Sequence, residues 1–537
     1  MSLIDPGKKL RGIFWIVCMP ALSGALLILS FPKYDFHLLA WVALAPLLLS
    51  ILTMPGKSSF FQGYVCGLVF FPGVFAWIFE VPGYKLIHHI ILDLYLSLYF
   101  GLFGLILGIS LNRWRTGWAL ILAPFFWVLT EYIRAHVLFL SFPWNFLAHS
   151  QYQNTSLIQF AEFTGAYGVS FFLVGVNSCV ALATIWIFGL RSYERGARVG
   201  GLVSTGSLIS AIVVWGLCSV AAYSYGGLIS SRELVQEPVK ISVLQGNIDR
   251  EKKMHPMKYA SFIMDVYSRL SLEASKDKAD LIVWPEASTP GYVLKNLTLM
   301  KYLATIIRKA DSYFVIGSSE YPKFVRKQYG MGDIGNTALF LSPKGSVLGQ
   351  YLKIRLVPFG ETIPMEGVIP WPEFIVPEGK KKFEVPGRDF TLFEVKGKKF
   401  GTVICWEIIF PGLIRQFVRK GANFIVNITN EGWFGLDTGP HQMLAISVFR
   451  AIENRVFVAK AGNVGVSGFI DPLGRIVGRV TAGGKDVCVR GYLTGRVAGY
   501  RGGETFYTAY GDVFAYLCIA VTLVAVFMSF FGKKTRP

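Results

Sequence analysis

The chain is 537 residues long, 53% hydrophobic and only 16% charged, a balance that excludes an ordinary water-soluble globular protein and points to an integral membrane protein. Its formal net charge of +19 could suggest nucleic acid, but the basic residues sit beside apolar segments or are scattered through one polar stretch. Neither a zinc-finger spacing nor an RNA-binding signature occurs, so no nucleic-acid partner is expected. A disulfide framework is equally disfavoured, because Cys18, Cys66, Cys179, Cys218 and Cys518 fall in apolar runs and leave only Cys405 and Cys488 in the polar stretch.

Apolar runs long enough to cross a hydrocarbon core, which takes about 20 helical residues, occur at 12–30, 38–54, 61–79, 87–111, 118–137, 165–188 and 202–225, with an eighth at 513–531. The first follows basic residues as a signal peptide would, but it is too long for one and lacks a cleavage site, so it is read as a retained helix. If the helices alternate in direction, Lys8, Lys9, Arg11, Lys57, Arg113, Arg115, Arg191, Arg195, Arg198, Lys533, Lys534 and Arg536 share one side, against Lys33, Lys85 and Arg134 opposite. Positive charge marks the cytoplasmic side, which puts both termini there. The polar stretch follows an odd number of spans and so lies outside the cytoplasm, in the periplasm of a bacterium with two membranes. The expected division is a membrane domain at 1–229, an α/β domain at 230–503, and a last span with a cytoplasmic tail at 504–537.

Within the polar stretch, strand-like runs at 239–244, 281–284, 314–316, 338–341, 400–405, 424–428 and 456–460 alternate with helical patterns at 257–275, 300–310, 411–420 and 441–453. Four segments carry chemistry: LIVWPEAS, YLKIRLVPFGE, GTVICWEIIFP and NITNEGWFG. They supply a carboxylate (Glu286), an ammonium (Lys353) and a thiol (Cys405). A thiol nucleophile needs a base to take its proton, and a cation or N–H groups to hold the oxyanion formed on the attacked carbonyl. Glu286 suits the first task and Lys353 the second, with the Trp406 N–H as a further donor. Glu361 would orient Lys353 and balance its charge. Glu407 is either a site group or a structural ion-pair partner.

These segments resemble the nitrilase superfamily, whose αββα sandwich carries a Glu-Lys-Cys triad. With the surrounding helices and the stretches FPKYDFHLLAWVALAPLL, FPWNFLAHSQ and VLQGNI, nearly the whole chain resembles a bacterial apolipoprotein N-acyltransferase. The resemblance implies eight transmembrane helices around a nitrilase-like sandwich, with Glu286, Lys353 and Cys405 as triad and Glu361 as a second site glutamate. It also implies ping-pong transfer of an acyl chain from a membrane phospholipid through a cysteine thioester. The acceptor would be the α-amino group of a diacylglyceryl-modified cysteine at the start of an apolipoprotein, in the last step of lipoprotein maturation. A monomer in the inner membrane, without metal or cofactor, is expected. The chain departs from the family pattern at Met254, usually aromatic, at Trp406, usually tyrosine, and at Glu431, usually aspartate.

Several apolar groups have two readings. Trp371 and Phe374 lie in MEGVIPWPEFIVP, residues 365–377, which is either a mobile lid dipping into the outer leaflet or a segment packed on the domain core. Trp433 and Phe434 line an acyl pocket or fill the core. Trp144 and Gln151 help to form a lipid entrance, or Trp144 is an interfacial anchor. The rival functions are a membrane-anchored amidase, which would need no more than one anchor, and a transporter, which would not need an intact triad.

Overall fold

In the computed structural model, which describes residues 10, 12–56, 58–111, 116–190, 205–321, 334–376, 384–433 and 438–531, each apolar run forms helix. The basic residues assigned above to the cytoplasmic side, from Lys8 through Arg536, all lie outside the described residues, as do Pro377 and Phe434. The chain divides into two compact units, one formed by residues up to Phe79, Gly83–Ser231 and from Tyr510 onward, the other by Glu80–Pro82 and Arg232–Ala509.

The first unit contains α1 (Phe14–Ser30), α2 (His37–Thr53), α3 (Ser58–Val74), α4 (Leu86–Leu111), α5 (Thr116–His136), α6 (Ala166–Phe188) and α7 (Thr205–Ser230), and ends with α12 (Val513–Phe531). Of the described helices, five (α4 to α7 and α12) are long and apolar enough to cross a membrane; α1, α2 and α3 are shorter than the eight-span expectation requires. The cause is visible in α2, whose first turn is a 3-10 helix separated from an α-helix that starts at Ala45. Asn177 of α6 satisfies the backbone at that break: its Oδ1 accepts the Leu44 and Ala45 N–H groups at 2.8 and 3.1 Å, and its Nδ2 donates to Ala40 O at 2.9 Å. Freed backbone groups away from water need such partners. Helices α3 and α4 approach closely through small residues, since a Cβ on Gly63 would stand 2.1 Å from Phe100 O and one on Gly104 would stand 2.1 Å from Ser59 O.

The second unit holds two six-stranded sheets. Its strands are β1 (Val235–Gln245), β2 (Leu281–Val283), β3 (Tyr313–Glu320), β4 (Gly335–Leu341), β5 (Val347–Leu352), β6 (Leu392–Val395), β7 (Lys398–Ile404), β8 (Phe424–Thr429), β9 (Phe457–Gly462), β10 (Gly468–Ile470), β11 (Ile476–Arg479) and β12 (Gly491–Gly499). The sheet orders are β12-β1-β2-β3-β4-β5 and β11-β10-β9-β8-β7-β6. Within them β1, β2 and β3 run parallel, as do β7, β8 and β9. Strands of this kind are covered on both faces and read as continuous apolar runs; FIVNIT of β8 is buried throughout. The sheets face each other through aromatic rings: Phe340 of β4 stacks on Phe393 of β6 at 5.0 Å and meets Phe400 of β7 edge-on at 5.5 Å.

Helices α8 (Ala260–Ser275) and α9 (Leu297–Ala310) cover the outer face of the first sheet, where Tyr267 stacks on Trp284 at 4.8 Å. Helix α9 shows why the sequence is helical there. Asn296 caps its start by accepting the Leu299 N–H at 3.0 Å, Leu299, Leu303, Ile306, Ile307 and Ala310 form one buried face, and Arg308 and Lys309 occupy the last turn. Helices α10 (Pro411–Arg419) and α11 (Thr438–Asn454) cover the second sheet. The order of layers is therefore helix, sheet, sheet, helix. Strands β5, β6, β10, β11 and β12 lie outside the expected runs, and the nucleophile strand stops at Ile404, so Cys405 opens a 3-10 turn (Cys405–Ile409) instead of ending a strand.

Candidate active site

Chemistry-bearing residues gather where strands of the two sheets end. Glu286 follows β2, Lys353 follows β5, Cys405 follows β7 and Asn430 follows β8. Crevices at the carboxyl ends of parallel strands are where α/β folds place reactive groups.

Glu286 is buried and saturated with donors. Its Oε1 accepts from Asn336 Nδ2 at 2.7 Å and faces Lys353 Nζ at 3.4 Å, and its Oε2 accepts the Asn430 backbone N–H at 2.8 Å. The loop that carries it is pressed against β3, because Ser288 N–H donates to Gly317 O at 2.8 Å and a Cβ on Gly317 would stand 2.3 Å from Pro285 O. Only glycine fits there.

Lys353 is fully buried and makes its shortest contact with Glu361 Oε1, 2.6 Å away. Glu361 Oε2 accepts the Val357 N–H at 2.8 Å, so its carboxylate is anchored by its own turn. Burial alone would depress the Lys353 ammonium, but the charges of Glu361 and Glu286 outweigh it and hold the group well above the ordinary lysine range. Lys353 therefore stays charged and cannot serve as a base.

Cys405 is 4% exposed and adopts φ +57°, a left-handed conformation held in part by Asn427 Nδ2, which donates to Cys405 O at 3.2 Å. Burial, then the neighbouring Glu286 charge, push its thiol well above the usual range, with Lys353 pulling the other way. The resting group is a neutral thiol whose proton must leave as the sulfur reacts. Trp406 follows at the start of the turn, where a helix leaves backbone N–H groups unbonded. Its indole N–H is already engaged, donating to Arg355 O at 2.5 Å, so only the backbone N–H fits the donor role.

Glu407, left with two readings by the sequence, braces the site from beneath. Its Oε1 accepts the Ile354 and Arg355 N–H groups at 2.7 and 2.9 Å, its Oε2 accepts the Ile404 N–H at 2.7 Å, and the Tyr351 hydroxyl stands 2.9 Å from both oxygens. One carboxylate thus joins the segment after Lys353 to the residue before Cys405. Burial raises this carboxyl to about 7.

Three further groups were not singled out from the sequence. Asn336 also accepts the Lys353 N–H on its backbone oxygen at 2.9 Å, Asn430 receives Asn463 Nδ2 on its Oδ1 at 3.0 Å, and Glu384 is a third carboxyl in the cluster. Burial, then the Glu361 charge, raise Glu384 to about 8. Polar Asn336 and Thr337 opening a strand that is otherwise apolar and buried, as in GNTALFL, are the signal that could have found Asn336. Glu431 forms a fully buried ion pair with Lys460, next to the Asn430 loop.

The contacts described for the remaining candidates lie elsewhere. Trp371 is tucked into its own segment, donating to Pro364 O at 2.7 Å and meeting the Phe359 ring at 5.0 Å, whereas Met365, Val368 and Phe374 are exposed. Trp433 is half-buried at the end of a short turn. Trp144 belongs to the helical unit, where it is buried against Trp77 at 5.3 Å and its carbonyl accepts from Arg134 at 2.6 Å. Gln151 is also engaged there, with Trp41 and the His37 carbonyl.

Known proteins match nearly the whole chain. Residues 240–500 match the carbon-nitrogen hydrolase family and residues 23–179 match the apolipoprotein N-acyltransferase N-terminal domain. The apolipoprotein N-acyltransferase of Geobacter metallireducens is 35% identical over 96% of this chain and 95% of its own, and that of Chlorobaculum tepidum is 28% identical over 96% and 97%. Among solved structures, a variant of an amidase from Nesterenkonia AN1, of the nitrilase superfamily, is 19% identical with a TM-score of 0.36, over 49% of this chain and 91% of its own.

Proposed function

Because the chain belongs to the apolipoprotein N-acyltransferase family, multi-pass membrane acyltransferases of lipoprotein maturation, we propose that it transfers a fatty acyl chain from a phospholipid to an apolipoprotein through a thioester on Cys405. The observation that supports this reading best is the buried cluster in which Lys353 pairs with Glu286 and Glu361 and the charges of all three reach the Cys405 thiol.

Glu286 takes the Cys405 proton as sulfur attacks the ester carbonyl of the phospholipid. The oxyanion so formed is stabilised by Lys353 and the Trp406 backbone N–H, and loss of one such donor costs about 3 to 4 kcal/mol of transition-state stabilisation. As the intermediate collapses, Glu286 returns the proton to the departing alkoxide and a lysophospholipid leaves. In the second half-reaction the free α-amino group of a diacylglyceryl-cysteine attacks the thioester. Glu286 removes a proton from the attacking nitrogen and delivers it to the departing sulfur, which restores the thiol. Asn336 and the Asn430 N–H hold the Glu286 carboxylate toward this work, while Glu361 fixes Lys353.

In this reading residues 1–229 and 504–537 are the membrane part and 230–503 the catalytic domain. The three shorter helices cross with the five longer ones, giving eight spans. Both termini face the cytoplasm, and the catalytic domain is periplasmic, on the bacterial inner membrane. Met365, Val368 and Phe374 form the lipid-facing edge of a lid, with Trp371 as its internal anchor, and Trp433, Phe434 and Trp144 contact substrate.

Intact-mass measurement of the full chain after incubation with a phospholipid of defined acyl length tests the proposal. One acyl group, removable by hydroxylamine, should be added to the parent chain and be absent from Cys405→Ala. An undiminished adduct on that variant refutes it.

A further inference from the structure

Two lysine ammonium groups interact with the Glu286 charge, and only one belongs to the triad. The other is Lys253, on the short helix Arg250–Met254, which directly follows the strand β1 and the QGNI segment. That helix is fixed in place: Asp249 caps it by accepting the Lys252 N–H at 3.0 Å, and Asn463 holds Ile248 from both sides, accepting its N–H at 3.0 Å and donating to its carbonyl at 2.8 Å. The same Asn463 donates to Asn430, whose N–H binds Glu286.

From this base Lys253 Nζ donates to Ala287 O at 2.6 Å, with its ammonium 5.9 Å from the Tyr267 ring centre. Ala287 is the residue after Glu286 and has φ +45°, a left-handed conformation that is strained for a residue with a Cβ. A strained backbone persists where its surroundings over-determine it. Here the surroundings are Gly317 on one side and Lys253 on the other. The Lys253 and Glu286 charges also act on each other, and enclosure by the protein lowers the ammonium to about 7.

We propose that Lys253 is a positioning residue for proton transfer: its ammonium clamps the Ala287 carbonyl, which aims Glu286, and places a cation beside the carboxylate that accepts the Cys405 proton. This inference rests on Glu286 being the base. The titratable groups facing Glu286 are Lys353, Lys253, Cys405 and Glu384, with Glu361 beyond Lys353; Lys253 itself faces Glu286 and Tyr267.

The test is single-turnover acyl-enzyme formation by the full chain in phospholipid nanodiscs, followed from pH 5 to pH 9. Removing a nearby cation raises a carboxyl pKa by about one unit or more. Lys253→Met should therefore move the acidic limb of the profile up by about one unit, which slows acylation about tenfold at pH values below the limb, and Lys253→Arg should restore both. A profile that keeps its limb, whether or not its height falls, overturns the proposal, because a purely structural lysine would change amount and stability alone. Should Lys253→Met fail to accumulate, Lys253→Gln decides in the same way, since it keeps a donor and removes the charge. Glu286→Gln separates the two levels of the argument. If that variant still acylates, the base assignment itself fails; if it is inactive while Lys253→Met matches the parent, only the role of Lys253 fails.

Discussion

Replacing Glu407 by glutamine changes one oxygen into an NH2 group and little else, yet the structure assigns it a large effect. The carboxylate accepts three backbone N–H groups and the Tyr351 hydroxyl and has no acceptor opposite it. An amide nitrogen at the Oε1 position would confront the Ile354 and Arg355 N–H groups; at the Oε2 position it would confront only Ile404, so the second orientation costs less. One buried donor left unmet costs about 1 to 3 kcal/mol, and the two surviving backbone bonds each lose about 1 kcal/mol when their acceptor is no longer charged. The sum is about 3 to 5 kcal/mol. Both loops the carboxylate joins carry reacting groups, so the loss is expected to appear as displacement of Lys353 relative to Cys405. At pH 8, above the raised value of about 7 for this carboxyl, Glu407→Gln should slow acyl-enzyme formation by at least a hundredfold and lower the unfolding temperature. Tyr351→Phe removes one donor and leaves the acceptor intact, and should slow it no more than about tenfold. A Glu407→Gln protein with the parent rate and parent unfolding temperature would refute the bracing role.

Glu384 is held about neutral until high pH, so its folded-state pKa exceeds the unfolded one and its contribution to stability is present in acid and lost as pH rises from the ordinary carboxylate range to about 8. Glu384→Gln should flatten that dependence by up to about 1.4 kcal/mol per pH unit in denaturant melts of the full chain; parallel curves for the two proteins would rule it out. Lys460→Met strands the fully buried Glu431 charge and should cost about 3 to 5 kcal/mol of stability, most of it recovered by adding Glu431→Gln. Failure of the second substitution to recover stability would show that the cost lies elsewhere. Changing Phe374 and Val368 together to serine should reduce turnover of phospholipid in vesicles without lowering the melting temperature, since both are exposed; unchanged turnover would remove the lid from the reaction.

The parts of the fold legible in the sequence are those buried on both faces. LIV of β2, the FGTVI part of β7 and FIVNIT of β8 stand out as apolar runs, and the reactive groups follow within a few residues. The edge strands did not stand out for the same reason in reverse: VLGQYL of β5 and GYLTGRVAG of β12 are half-exposed, and their mixed composition resembles a loop. Spans fared similarly. The uninterrupted α4 matches its apolar run, whereas hydropathy does not reveal that Asn177 lies 2.8 Å from a backbone N–H far along the chain and caps a break in α2. In the candidate site, the motifs pointed to Glu286, Lys353, Cys405 and Glu361, which the fold gathers at strand ends. They could not show that Glu407 receives bonds from both neighbouring loops, nor that Lys253 approaches Ala287, because those are facts of three-dimensional closure between residues 34 to 53 positions apart.

Strand β1 is the first strand of the second unit and β12 its last, and the two pair antiparallel with Val235 opposite Gly499. The first and last strands of this unit are therefore neighbours in one ladder, and the residues between form a closed circuit stitched at its seam. A module so closed can be spliced into a host polypeptide without pulling the host's ends apart, and closing it costs the same loop entropy whatever the host. Such a seam accounts for how a sandwich of this kind can be carried between two helices of another unit with its own topology undisturbed.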